Sequence, residues 1–239
     1  MKNERIFISI LVPTKNRIHN IDRLISTSLS KARNPSKIEI IFYVDNDDYT
    51  SQQHINSLKN DNIFWTTSEQ KVLFSDMWNY AFLKSRGEYV MLCGDDVTFI
   101  TQNWDEYIEQ AFEQYEDKIV YVVPNDGNAG NNLGVHGFLN RKWVDIVGFF
   151  TPPYFAYWYA DTWIDNVARK IGRFHYLSDV MIIHNHWESP NAISIDSLYL
   201  ENKSKVNQEL HNLWYAKEHE RIEQSNKLRN FINDFGDKK

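Results

Sequence analysis

Short runs of β-branched and aliphatic residues, each closed by a polar or acidic cluster and separated by helical periodicity, constrain this chain more than any other feature. Ile6 to Val12 is such a run, ended by Pro13, and it suits a strand buried on both faces of a parallel sheet. The polar loop Thr14-Lys15-Asn16-Arg17 follows. Ile18, Ile21, Leu24, Ile25 and Leu29 then recur at helical spacing, and Asn34-Pro35-Ser36 breaks that helix before a second buried strand, Ile38 to Val44. This strand also ends in polar residues, Asp45-Asn46-Asp47-Asp48. The pattern repeats. Phe74, Met77, Trp78, Ala81 and Phe82 form an apolar helix face, Gly87 marks a helix stop, and Tyr89 to Leu92 reads as a strand running into Gly94-Asp95-Asp96. Trp104, Tyr107, Ile108, Ala111, Phe112 and Tyr115 line a further helix before the strand Ile119 to Val123, closed by Pro124. Such alternation predicts an α/β, doubly wound, mostly parallel twisted sheet flanked by helices, with ligands at the carboxyl edge of its strands.

The regularity lapses over residues 125–159, where Asn125 to Gly137 is rich in Gly and Asn and Phe149 to Tyr159 gathers aromatics around Pro152-Pro153. Loops of this kind line pockets or move. Asp161 is expected to cap a helix carrying Ile164, Val167, Ala168 and Ile171, ended by Gly172. A strand around Val180 to Ile183 then leads into His184-Asn185-His186-Trp187. From about Ser189 the chain is polar and helical, with a weak stripe of Val206, Leu210, Leu213 and Trp214.

Composition narrows the classes of function. With 239 residues, 42% hydrophobic and 15% aromatic, the chain can bury a core as one domain, or one domain with an appendage. A net charge of -6 argues against a broad grip on nucleic acid or anionic membrane. Cys93 is the only cysteine, which excludes an intrachain disulfide and a Cys-based zinc cluster and fits a reducing compartment. No stretch reaches the roughly 20 apolar residues of a membrane span, and the N-terminus does not read as a signal peptide. The expectation is a soluble, cytoplasmic protein whose metal, if any, sits on Asp, Glu or His.

Three carboxylate clusters follow apolar runs: Asp45, Asp47 and Asp48; Asp95 and Asp96; Asp161 and Asp165. A parallel sheet brings the first two to one rim, where like charges must be offset by a cation, by hydrogen bonds or by protonation. Any one of them can equally be a turn or cap residue. His184 and His186 alternate on a strand-like segment, so both face one side only if the strand ends there. Without thiolates, a hard ion such as Mn²⁺ or Mg²⁺ would take carboxylate oxygen plus imidazole. Thr14, Asn16 and Arg17 offer a hydroxyl, an amide and a guanidinium to a base or phosphate. The sequence holds neither a Gly-x-Gly-x-x-Gly after its first strand nor a P-loop, so a phosphate's charge would fall to a metal. Tyr154, Phe155, Tyr157, Trp158, Tyr159 and Trp163 are either core or a stacking wall for a sugar ring.

Taken in order, these segments resemble family 2 glycosyltransferases of the GT-A fold. Ile8-Ser9-Ile10-Leu11-Val12-Pro13-Thr14-Lys15-Asn16-Arg17 is similar to that family's opening strand and nucleotide loop, and Ile41-Phe42-Tyr43-Val44-Asp45-Asn46-Asp47-Asp48 to its base-binding loop. Asn79 to Tyr89 and Val90-Met91-Leu92-Cys93-Gly94-Asp95-Asp96-Val97 resemble its helix, Arg-Gly-Glu-Tyr turn and Asp-x-Asp strand. Tyr159-Ala160-Asp161-Thr162-Trp163 resembles the acidic motif opening the acceptor-side helix, and His184 or His186 falls where many members carry a metal-binding histidine.

The resemblance implies a GT-A domain over residues 1–188, with a nucleotide-sugar half (1–124) and an acceptor and metal half (125–188), followed by a helical extension (189–239). It implies nucleotide binding by Pro13, Thr14, Asn16, Arg17, Asp45, Asp47, Lys71, Gly94 and Asp95. Mn²⁺ or Mg²⁺ would sit on Asp95 and Asp96 with His184 or His186, and the general base would be Asp161, with Asp165 as its substitute. The implied reaction moves one sugar, with inversion, from a nucleotide-diphosphate sugar such as a UDP-sugar to a hydroxyl on a glycan or other acceptor. Two positions depart from the pattern: Cys93 replaces the first acid of the Asp-x-Asp triplet, and Ala160 stands where a Glu is common. The missing acid keeps open a catalytically silent module that binds a nucleotide sugar or glycan. A nucleotidyltransferase is disfavoured, since the first loop lacks a Gly-rich, Lys-bearing phosphate grip. The absence of a Gln-x-x-Arg-Trp motif argues against a processive synthase. The aromatic loop and the tail are surfaces that allow homo-oligomerisation.

Overall fold

A computed structural model describes residues 6–185, 200 and 206–236. The strands are β1 (Ile8–Thr14), β2 (Ile38–Val44), β3 (Ile63–Thr66), β4 (Tyr89–Leu92), β5 (Val97–Phe99), β6 (Tyr121–Asn125), β7 (Phe138–Asn140) and β8 (Phe174–His184). The helices are α1 (Ile18–Lys31), α2 (Tyr49–Ser57), α3 (Met77–Lys84), α4 (Trp104–Glu113), α5 (Arg141–Val147), α6 (Ala160–Lys170), α7 (Gln208–Ala216) and α8 (Glu218–Gly236). The sheet runs β3-β2-β1-β4-β7-β6-β8-β5.

The first half follows the expected scheme: β1 pairs in parallel with β2 and β4, and β2 with β3. All seven residues of β1 and of β2 are buried, as strands covered by helices on both faces must be. Beyond β4 the sheet changes character. β7 pairs antiparallel with β4 and β6, β8 is parallel to β6, and β5 closes the edge antiparallel to β8. β3, β5, β7, α2 and α5 carry no strong periodicity; three of these strands have only three or four residues, too few for a pattern to emerge. β8 is longer than expected because it serves both β6 and β5, with a register shift opposite Pro124 and Asn125.

Four local expectations need correction. β6 is not closed by Pro124 but runs Tyr121–Asn125 with Pro124 opposite Leu177. β1 does not stop before Pro13 but continues to Thr14, with Pro13 opposite Tyr43. Gly87 does not end α3, which stops at Lys84. Instead, a Cβ at Gly87 would lie 2.5 Å from Ser9 Oγ and 2.6 Å from Ser9 N, so only glycine lets this turn press on β1. Asp161 does not cap α6: the cap position is Tyr159, and the Asp161 carboxylate accepts instead from its neighbour, the Thr162 N–H, at 2.7 Å. Gly172 does follow α6, in the left-handed region at φ 70°.

Helices cover both faces. One hydrophobic cluster joins α1 and α4 to the sheet, and another joins α3, α5, α6, α7 and α8 to its opposite face. Much of the aromatic segment is core, with Phe155 and Trp163 at most 1% exposed, whereas Trp158 stays 46% exposed. No helix among the described residues is long and apolar enough to cross a membrane.

Candidate active site

The carboxyl ends of β1, β2 and β4 and the junction of β5 with β8 gather the acidic clusters along one rim. The β1 loop is ordered by the β2 loop. Asn16, at φ 55°, donates its backbone N–H to Asp48 Oδ2 at 2.7 Å, and Lys15 Nζ reaches Asp45 at 2.7 Å and Asp47 at 3.3 Å. Asp48 also caps α2 by accepting from Ser51 N. Among the expected nucleotide ligands, Pro13 and Thr14 thus lie at the carboxyl end of β1, and Asn16, Arg17, Asp45, Asp47, Gly94 and Asp95 on the loops that follow β1, β2 and β4. Lys71 is exposed in the loop between β3 and α3.

Asp95 and Asp96 are adjacent in sequence but have different partners. Asp95, 3% exposed, accepts from Thr14 Oγ1 at 2.7 Å and from Arg17 Nη1 at 2.9 Å, with Asn20 Nδ2 at 3.3 Å. Burial pushes its carboxyl up, against the pull of Arg17 and Thr14. Asp96 faces histidines instead: His184 Nε2 is 3.3 Å from its Oδ2. Burial alone would raise Asp96, but His184, His136 and Arg17 together hold it below the usual carboxylate range, while Asp96 raises His184 despite burial.

One ligand atom each from Asp96, His136 and His184 lie within 4.8 Å of one another. His136 Nε2 is buried without a hydrogen-bond partner among the described residues, although a buried polar atom ordinarily has one. Burial, with His184 beside it, depresses His136 to about 3, so the ring is neutral as a metal ligand must be. Its Nδ1 accepts the Gly94 backbone N–H at 3.2 Å. One carboxylate and two imidazoles, one of them with an unpartnered Nε2, fit a divalent cation of the Mn²⁺ class.

His136 was not anticipated from the sequence, and Asp95, expected as a ligand, accepts from Arg17 and Thr14. A signal was nevertheless present: His136 lies between Gly134 and Gly137. A Cβ at those glycines would approach Tyr121 ring atoms to 2.6 and 2.2 Å, so the Gly pair lets the loop settle on Tyr121. His136 itself adopts φ 55°, a conformation a non-glycine residue keeps only where its surroundings hold it. His186 lies outside the described residues. His184 is tied at both backbone groups, donating to Asp126 O and accepting from Asn128 Nδ2, each at 2.9 Å.

Cys93 is buried in the core with its thiol pushed far up by burial, and it supplies no ligand. Asp161, in the first turn of α6, is raised by burial against its bonds to Thr162, and it and His184 lie within electrostatic reach of one another. A raised carboxyl beside an imidazole is a suitable proton acceptor. Asp165, one turn on, is occupied: it accepts from Gly134 N at 2.8 Å and from Arg169 Nε at 2.9 and 3.0 Å. It therefore fastens the loop that carries His136.

Residues 9–180 match the sequence model of the family described as "Glycosyl transferase family 2", which covers most of the chain. The chain belongs to glycosyl transferase family 2. No curated protein matches it. Among solved structures it resembles S. aureus TarS residues 1–349 in complex with UDP-GlcNAc (16% identity, TM-score 0.59), covering 82% of this chain and 64% of that one. It also resembles the mannosyltransferase PcManGT from Pyrobaculum calidifontis in complex with GDP-Man and Mn²⁺ (14% identity, TM-score 0.59), covering 77% and 60%. A further S. aureus TarS structure shares 18% identity with a TM-score of 0.58, and the family 2 chain, 74% covered, spans 36% of its length. At these identities the likeness establishes the GT-A fold.

Proposed function

We propose that this family 2 chain transfers one sugar from a nucleotide-diphosphate sugar to an acceptor hydroxyl, with a UDP-sugar as donor, inversion at the anomeric carbon and a divalent ion of the Mn²⁺ or Mg²⁺ class. The observation that carries this reading is the Asp96, His136 and His184 triad, with His184 in electrostatic reach of Asp161. Two solved neighbours hold nucleotide sugars, one of them with Mn²⁺.

In this reading the loops of β1 and β2 receive the nucleoside, with Asp45 and Asp47 at the base and ribose and Lys15 and Arg17 offsetting the acids around them. Asp96, His136 and His184 would hold the ion. When bound, it neutralises the diphosphate and stabilises its departure. Asp161 takes the acceptor hydroxyl's proton as the acceptor oxygen bonds to the anomeric carbon, whose bond to the diphosphate oxygen breaks with its electron pair leaving on the nucleoside diphosphate. Attack opposite the leaving group inverts that carbon. Trp158, exposed and just before Asp161 in the chain, would meet the acceptor. A cytoplasmic location accords with the free, buried Cys93 thiol.

The test is a panel of nucleotide sugars incubated with the protein, Mn²⁺ and hydroxyl acceptors. Release of nucleoside diphosphate that falls in Asp161→Asn supports the reading; no release from any donor overturns it. Cys93 at the first Asp-x-Asp position favours a second reading, a silent binding module. Calorimetry showing tight UDP binding with no turnover would select it.

A further inference from the structure

The C-terminal helices lie beyond the residues matched by the family, and they grip α6 on both sides of Asp161. Trp163, two residues after Asp161 and 1% exposed, donates its indole N–H to Gln224 Oε1 of α8 at 2.8 Å. Tyr159, two residues before Asp161, stacks on Trp214 of α7 with centroids 4.8 Å apart and planes 16° apart, and its hydroxyl pairs with His211 Nδ1. Tyr159 holds φ 61°, which a bulky residue keeps only under constraint. Arg221 closes the arrangement. It is 1% exposed, with its guanidinium 3.6 Å from the Trp214 ring centroid and 5.0 Å from that of Trp163. Nη1 donates to Trp214 O at 2.8 Å and Nη2 pairs with Glu218, while buried Nε lacks a partner among the described residues. An arginine buried at such desolvation cost, with one donor unmet, is poorly explained by stability alone.

We infer that α7 and α8 form a clamp that sets the position of the Asp161 carboxylate, with Trp163, Gln224, Trp214 and Arg221 as its positioning residues. The clamp rests on Asp161 acting as the base. Donor binding is assigned to loops on β1, β2 and β4, and the described hydrogen bonds and ring contacts of these residues run to other parts of the chain. Clamp variants therefore separate the two steps: they slow transfer and leave the nucleotide site alone.

Gln224→Leu, which strips the Trp163 indole of its acceptor, and Trp163→Phe, which removes the indole N–H, are expected to lower kcat by about tenfold through displacement of the base. UDP affinity by calorimetry should stay within about twofold of the parent in both. Gln224→Glu, which keeps an acceptor oxygen, should restore the rate. Combined with Asp161→Asn, Gln224→Leu should add no further loss, since two changes acting through one group are not additive. A merely structural role would lower the melting temperature and multiply with Asp161→Asn. Tyr159→Phe removes only the contact with His211 and provides the mild variant should the others unfold; it is expected to reduce kcat two- to threefold, roughly. Folded clamp variants with parental kcat, or losses that multiply with Asp161→Asn, overturn the clamp while leaving the base in place. If Asp161→Asn itself transfers normally, base and clamp fall together.

Discussion

Two neighbouring parts of one rim meet their charges in opposite ways. On the nucleotide side the acids are already compensated: Asp95 by Arg17, Thr14 and Asn20, Asp45 and Asp47 by Lys15, and Asp48 by the N–H groups of Asn16 and Ser51. On the side proposed for metal and acceptor, Asp96 meets two histidines, His136 Nε2 lacks a partner among the described residues, and the raised Asp161 carboxyl accepts from Thr162 and from its own backbone N–H. The first region is a finished scaffold, stable before any ligand arrives. The second is left incomplete, which is where binding energy and catalysis have something to act on.

The contrast is broken most sharply by removing a group on the unfinished side. Asp161→Asn keeps the shape of the carboxylate but cannot accept a proton, so transfer should fall roughly 10³-fold, within the range for a positioned general base. UDP binding measured by calorimetry should persist; loss of both together would argue that Asp161 belongs to the scaffold.

On the finished side the expected loss is one of stability. Arg17→Ala leaves the buried Asp95 without its cation and should cost about 3 kcal/mol in denaturant unfolding, the scale for breaking a buried pair. Lys15→Ala, at a pair with side chains 33% and 24% exposed, should cost less than about 1 kcal/mol. Equal losses would show that the two ion pairs do not differ in kind.

pH supplies an intermediate effect. His136 is held near 3, against 6.5 ordinarily, so between those values the unfolded chain binds a proton that the folded chain refuses, and acidification weakens the fold. His184 acts in the opposite sense: its raised value contributes stability that is fully present below 6.5 and is lost as pH rises through the folded value. In metal-free buffer, His136→Gln should therefore flatten the acid limb of the stability profile and leave the alkaline loss in place. An unchanged acid limb would mean that the imidazole is not buried in its neutral form.

The parallel half of the sheet was legible because β1 and β2 are mostly apolar, seven-residue buried strands with helical periodicity between them, and the polar loops after them announce the rim. β5 and β7, at three residues each, are too short to carry a pattern, so the antiparallel closure that brings Asp96 against His184 had no sequence signature. The assignment of roles within Asp95-Asp96 was hidden for a related reason. Which of two adjacent acids turns toward Arg17 and which toward the histidines depends on the bend between β4 and β5 and on distant partners, not on local composition. Asp161 was visible through the resemblance, whereas His136 sat in an Asn- and Gly-rich loop whose glycines marked a close approach without naming its purpose.

The most direct test is anomalous scattering from manganese in crystals grown with UDP. A single peak within ligand reach of Asp96, His136 and His184, beside the diphosphate and with Asp95 still bound to Arg17, is the expected result. A peak coordinated by Asp95 with both histidines turned away, or UDP seated at the rim with no manganese beside those three residues, would contradict it.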